Sequence, residues 1–371
     1  MYKYSVVILL CVSSTFTRAF DFSRINLAYL YDPSALVRVQ HSQVQEDQDL
    51  LLYLQVTSKT ALSYNLKCFT QQGYEDADHR EISFRMDTLM SGMKSSRFLM
   101  KIALDSLDKL VVVQWSNSAS EFYFPISVNV ERGKTIRFED EPARSFLKSY
   151  PVLQETEQPY AYAYSMDFGM ADPAFGNMRE LSPTLEPDSL FVYDTALAYQ
   201  DWHFYFLQYD TTTAGGRGFL KTPGYFPRLR KIEELLGPVR YLCSTSEFRT
   251  IADADNPKFA FEQFWIRNAG SKTKAKNAIG SFYNKATWSN ELFTNYKPGW
   301  KTDKGMIYLI FGKPDQVYQT NRKERWLYLD GLEFEFIRIS TLFAPTLYTL
   351  IRKQEYRDRW IQRIGQIRKG N

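Results

Sequence analysis

Lys109-Leu110-Val111-Val112-Val113-Gln114-Trp115 is followed by a polar break at Ser116-Asn117-Ser118 and then by a second run, Glu121-Phe122-Tyr123-Phe124-Pro125-Ile126-Ser127-Val128-Asn129-Val130. Two short runs rich in β-branched and aromatic residues, on either side of a turn-prone break, read as neighbouring strands. The same signature recurs upstream at Leu50–Val56, Ser63–Phe69, Glu81–Met86 and Phe98–Leu104, with Gln72-Gly73 as another turn. Short strands at this spacing predict an antiparallel sandwich, and residues 20–138 are expected to form an immunoglobulin-like one. Residues 139–158 read as a charged linker, marked by Glu139-Asp140-Glu141-Pro142 and by Glu155 to Pro159.

From 159 to 240 the chain is strand-like again, in Tyr160-Ala161-Tyr162-Ala163-Tyr164, Ser189 to Asp194 and Trp202 to Leu207. Alternating Tyr and Ala suggests a sheet with one aromatic face and one small face, so a second β module is expected. Past Ser246 the period becomes helical. Asn256-Pro257 is an N-cap with proline at the first helical position, and a further helix spans about Thr273 to Phe293. Met306–Phe311, Arg325–Leu329 and Leu332–Ile339 read as strands, the last two joined at Asp330-Gly331, where a tight hairpin turn would need positive φ at both positions. A basic helix from Glu355 to Lys369 ends the chain. Residues 246–371 are therefore expected to be an α+β domain, in a multi-domain, β-rich protein.

The first nineteen residues read as an export leader: Lys3, an apolar run from Val6 to Val12, and a small residue at Ala19. The alternative of a lipid-modified Cys11 has the preceding leucines in its favour and Leu10 against it. Cleavage near Ala19 would leave 44 of the 46 basic residues against 42 acidic ones. So near-neutral a chain offers no electrostatic footprint for nucleic acid. Hydrophobic residues at 44% and charged residues at 24% are globular values that exclude bulk disorder. The mature chain keeps Cys68 and Cys243 in different expected domains; an oxidising compartment would permit a disulfide between them, and two buried free thiols is the preferred reading.

Gly299-Trp300-Lys301-Thr302-Asp303-Lys304-Gly305, continuing through Met306 to Gly312-Lys313-Pro314-Asp315, resembles the defining segment of the GWxTD domain family. The resemblance implies an exported protein of Bacteroidota-type bacteria, with β-sandwich regions ahead of the motif domain; it implies no particular reaction. The residues themselves suggest a turn at Pro298-Gly299, burial of Trp300, local backbone capping by Thr302 and Asp303, and a left-handed Gly305 entering a strand. Gly312 and Pro314 would turn the chain out again, beside Asp315. Lys301, Lys304, Arg357 and Arg363 are candidate partner contacts, weighed against a merely solvated role.

Other chemistries find little material. His41, His79 and His203 are scattered, so no histidine-based metal site or imidazole triad is expected. Asp167-Phe168-Gly169 spells a kinase motif without the glycine and catalytic loops that give it meaning. Glu75–Asp78 and Asp253–Asn256 lack the spacing of a calcium loop. No metal, cofactor or catalytic residue is assigned. Two classes of function stay open: a non-catalytic envelope scaffold that binds a protein partner, and a carbohydrate-active or other hydrolase with a carboxylate pair. Peripheral contact of the basic tail with an anionic membrane surface is a further expectation, set against docking of that helix on its own domain.

Overall fold

The computed structural model describes residues 21–46, 49–59, 65–92, 94–116, 120–128, 136–139, 144–154, 157–165, 168–177, 186–194, 199–212, 215–341 and 347–370. The predicted leader, with Cys11 and Ala19, lies outside the described residues, as does part of the linker.

The first region contains β1 (Val37–Glu46), β2 (Asp49–Ser58), β3 (Asn65–Gln71), β4 (Arg80–Glu81), β5 (Phe84–Met90), β6 (Ser95–Ala103), β7 (Leu110–Ser116) and β8 (Glu121–Ser127). Among the described residues they form two antiparallel sheets, ordered β1-β2-β6-β5 and β4-β3-β7-β8. Strand alternation fills the space between the sheets. Leu50, Leu52, Leu54 and Val56 share one core with Cys68, Met100, Val111, Val113 and Trp115. Each such apolar side chain contributes about 1.5–3 kcal/mol by leaving water. β7 is buried on both faces, because Leu110 and Val112 pack the other way, against Phe22, Phe69 and Tyr74. That double burial explains its unbroken apolar run.

The second region holds β9 (Phe146–Leu147), β10 (Tyr160–Tyr164), β11 (Ser189–Val192), β12 (Phe204–Gln208) and β13 (Arg217–Lys221), in the order β11-β10-β12-β13-β9. β9 runs parallel to β13 and the other pairs are antiparallel. Both faces of this sheet are aromatic. Ala161 and Ala163 make room for Tyr193, Tyr205 and Phe219 on one side. Tyr164, Phe204, Phe206 and Phe226 pack on the other, where they meet Tyr296 and Leu347 of the C-terminal region. The small face is thus a seat for rings rather than a bare surface.

The C-terminal region contains α1 (Ile232–Val239), α2 (Thr245–Ala252), α3 (Pro257–Ala269), α4 (Lys272–Phe293), α5 (Asp303–Phe311), β14 (Gln316–Gln319), β15 (Lys323–Leu327), β16 (Glu333–Ile339), β17 (Leu347–Leu350) and α6 (Tyr356–Lys369). The strands form an antiparallel sheet in chain order. Asn256 caps α3 with Pro257 at its start, as the sequence indicates. Three expectations are corrected. Met306–Phe311 is helix α5, not a strand: each residue from Lys304 to Ile310 is buried, and a run buried all round carries no period to tell the two apart. Gly305 is accordingly helical, and it is Gly312 that takes positive φ, at 85°. Asp330-Gly331 is not a two-residue turn. Gly331 alone is left-handed, at 80°, and its N–H donates to Tyr328 O (3.0 Å) while Tyr328 N–H donates to Leu332 O (2.9 Å), a three-residue loop with a bulge.

Residues 25–31 belong to this region too. Leu27 lies in the same core as α3, α4, α5 and β14–β17, and its N–H donates to Val317 O (2.8 Å). Asn26 Oδ1 accepts from Val317 N–H (3.0 Å) and its Nδ2 donates to Asp315 O (3.3 Å). The Tyr29 hydroxyl accepts from the Tyr123 N–H of β8 (2.8 Å), so one short strip touches both the sandwich and the C-terminal region.

Candidate functional site

The motif turn sits where the end of α4 meets the start of α5. Thr294 Oγ1 donates to Asn290 O (2.6 Å) and accepts from Gly299 N–H (2.9 Å). Asn290 Oδ1 accepts from Trp300 N–H (3.2 Å), while its Nδ2 donates to Pro227 O (2.9 Å). A single 3-10 turn, Gly299–Lys301, then delivers Thr302 as N-cap of α5. Its hydroxyl donates to Gly299 O (2.7 Å) and accepts from Gly305 N–H (3.1 Å). Two glycines are required by closeness rather than by left-handed backbone. A Cβ on Gly299 would lie 1.8 Å from Ser289 O, and one on Gly305 would lie 1.8 Å from Gly299 O. Trp300 is buried against Tyr241 edge to face, with ring centroids 6.3 Å apart, beside Gly237 of α1.

The charged motif residues reach further than local capping. Asp303 Oδ2 accepts from Leu350 N–H (2.8 Å), and its carboxylate pairs with Arg352 at 2.5 Å and 3.3 Å. Burial pushes the neighbouring Tyr241 phenol well above its ordinary range, and Asp303 pushes it the same way. Lys304 is buried; its Nζ donates to Glu324 Oε2 (2.7 Å) and to the Tyr31 hydroxyl (3.3 Å), and lies 3.3 Å from the Tyr348 ring centroid. Glu324 Oε1 also accepts from Tyr31 Oη (2.7 Å) and from Trp326 Nε1 (2.6 Å). Desolvation holds the Lys304 ammonium below the usual lysine range, with Glu324 pulling the other way. Asp315 accepts from Leu329 N–H (2.8 Å), Pro314 is buried, and Lys301 Nζ donates to Phe168 O (3.2 Å).

In the tail, Tyr356, Trp360 and Ile367 are buried in the core of the region, so α6 docks on it. Arg363 Nε donates to Ile310 O at the end of α5 (3.2 Å), where a cation suits the helix terminus. Arg368 pairs with Glu247 of α2 (2.5 Å), whereas Arg357 is exposed. The structure thus gathers Gly299, Trp300, Thr302, Asp303, Lys304 and Gly305 into one junction and leaves Arg357 apart. The sequence reading missed Glu324, Tyr31, Arg352 and Asn290. The linear signal for Asn290 was its place near the predicted end of α4; the others carried none.

Among the described residues, no group of three or more His, Cys, Asp and Glu side chains is placed to hold a metal ion. Cys68 and Cys243 are free. Among the described residues no helix is long and apolar enough to cross a membrane. A family model described as the GWxTD domain matches residues 203–369, from just before β12 through α6. No curated protein and no solved structure matches the chain.

Proposed function

We propose that this chain, a protein carrying a GWxTD domain over residues 203–369, is an exported cell-envelope component that acts by binding another protein rather than by catalysis. The observation that supports this reading is the inward use of the motif. Thr302, Asp303, Lys304 and Asp315 each spend their polar atoms on internal partners. A carboxylate already held by backbone N–H and guanidinium donors is a poor base or nucleophile. A glycoside hydrolase needs two carboxylates facing across an open site, whereas Asp303 and Glu324 are each pinned by their neighbours. Export rests on the leader-like composition of residues 1–19. The immunoglobulin-like reading of the sandwich rests on its strand orders, β1-β2-β6-β5 and β4-β3-β7-β8, which correspond to an ABED sheet and a CFG sheet with one added edge strand.

The tail supports docking over membrane contact, because its apolar stripe is used inside the protein. The test is affinity capture with the full-length chain from envelope extracts, read by mass spectrometry, alongside a hydrolysis screen on envelope glycans. A stoichiometric protein partner without hydrolysis is expected. Hydrolysis that is lost in Asp303→Asn or Glu324→Gln would replace the scaffold reading with the enzymatic one.

A further inference from the structure

Residues 168–176 cross the motif junction without regular secondary structure, and their main chain is held by donors from the C-terminal region. Phe168 O accepts from Lys301 Nζ (3.2 Å) and Gly169 O from Lys297 Nζ (2.9 Å). Ala171 O accepts from the Tyr241 hydroxyl (3.0 Å), and Asp172 O from Arg352 Nη2 (3.0 Å). Ala174 O accepts from Lys353 N–H (3.2 Å) and Phe175 O from Gln354 Nε2 (2.8 Å). One bond runs the other way, from Ala171 N–H to Lys301 O (2.9 Å). Side chains seat in between. Ala174 is fully buried and Ala171 nearly so, Phe168 meets Tyr296 edge on, and Phe175 meets Trp360 edge on.

A loop that merely fills a core is fixed by its own side chains and turns. Here one internal turn, from Gly176 N–H to Pro173 O (2.8 Å), is joined by donors from three separate places, Tyr241, the motif turn and residues 352–354, which converge on six of the carbonyls between Phe168 and Phe175. That is how proteins hold a bound peptide, with main-chain bonds for affinity and small pockets for selection. One donor belongs to the motif, Lys301 at its variable position, and a second, Arg352, is oriented by the motif's Asp303, which makes Asp303 a positioning residue.

We propose that this face of the GWxTD domain is a peptide-recognition groove, that residues 168–176 occupy it in cis, and that its partner in trans is a peptide of the same spacing that follows the same backbone course. That spacing is an aromatic residue, alanine three positions on, alanine three further on, and an aromatic residue next to it, as in Phe168, Ala171, Ala174 and Phe175. The proposal rests on the interaction reading above and names the partner's chemistry.

The experiment places protease sites on both sides of 168–176 in the full-length chain, cuts them, and titrates a labelled synthetic peptide of residues 167–177. The cut protein is expected to keep its far-ultraviolet circular dichroism, release the excised segment on dilution and bind the labelled peptide saturably. Lys297→Met with Lys301→Met should weaken binding by about tenfold or more, and a peptide carrying Ala174→Glu should not bind. A second variant, intact Ala174→Glu, cannot seat its own segment and should take up the wild-type peptide at least about tenfold better than the unaltered chain. Cut or substituted protein that unfolds, or stays folded without binding, makes the segment an ordinary core element and overturns the proposal. A partner captured from envelope extracts that excess peptide fails to displace refutes the groove while leaving the scaffold reading standing. Capture of no partner removes the scaffold reading instead.

Discussion

Replacing Gly305 by alanine is a severe test of how the motif works, because elementary helix physics points the other way. Gly305 lies in α5, where alanine is intrinsically favoured over glycine by about 1 kcal/mol. The added Cβ, however, would stand 1.8 Å from Gly299 O and 2.6 Å from Gly299 C, whereas ordinary contact begins near 3.4 Å. The Gly299 carbonyl would have to retreat by about 1.5 Å, and it is the acceptor for both Thr302 N–H (2.9 Å) and Thr302 Oγ1 (2.7 Å). Losing two such bonds removes about 1 kcal/mol each. Trp300 follows Gly299 directly, so part of the roughly 3–5 kcal/mol associated with a fully buried aromatic is lost with them. Set against the helix gain, the net destabilisation is about 3–5 kcal/mol. The assay is denaturant unfolding followed by tryptophan fluorescence, with Gly280→Ala in α4 and Gly365→Ala in α6 as controls. Nothing lies within 4 Å of a Cβ at either control site, so both should stabilise by about 0.5–1 kcal/mol. If Gly305→Ala behaves like the controls, the close approach is not what fixes glycine in the motif.

The buried pair should be strongly coupled: Lys304→Met and Glu324→Leu each destabilise by about 3–5 kcal/mol, Glu324→Leu more because it also strands Tyr31 and Trp326, and the double variant costs less than their sum. Additive losses in equilibrium unfolding would mean that the two charges are independently solvated. Trp300→Ala should lose about 3–5 kcal/mol, checked by the same unfolding curves; unchanged stability with a lost partner would make Trp300 a contact residue instead. Deleting residues after Arg352 should abolish cooperative unfolding in calorimetry, since Tyr356, Trp360 and Ile367 leave the core. Arg368 bonded to Glu247 holds that carboxyl below its ordinary value of 4.5, so the pair stabilises above that pH and is lost as pH falls through the lower folded value. Glu247→Gln should therefore flatten the acid limb of a stability–pH curve by a small amount, the pair being partly solvated.

What could be read beforehand divides along physical lines. Strands such as β2 and β7 were legible because one or both faces are buried and the residue types suit a pleated surface. Asn256-Pro257 was legible because capping is local. α5 was not, since a helix buried on every side loses its period, although Thr302 followed by Asp303 in its first turn was a capping signal that outranked the apolar run. α1 fell inside the stretch expected to be a β module, and Gly237 and Pro238, residue types unfavourable inside a helix, lie in its last turn. At the candidate site, the turn around Gly299 and the burial of Trp300 were legible, whereas the partners of Asp303 and Lys304 lie 47 and 20 positions downstream and no local rule selects them.

Tyr31 and Glu324 are 293 positions apart, and Asn26 and Val317 are 291 apart. During synthesis the strip from Phe22 to Tyr31 therefore emerges long before the β14–β15 edge that covers it. Closing so long a loop adds little to the equilibrium, about 0.6 kcal/mol per doubling of length, but contacts this remote form slowly. The sandwich offers the strip an earlier resting place, through Phe22 against Val112 and Tyr29 against β8. Its other side, with Leu27 and the Tyr31 hydroxyl, stays wet until residues 317–324 arrive. Prematurely ended copies would thus display an apolar strip that finished copies conceal, a mark by which a chaperone or protease could sort one from the other.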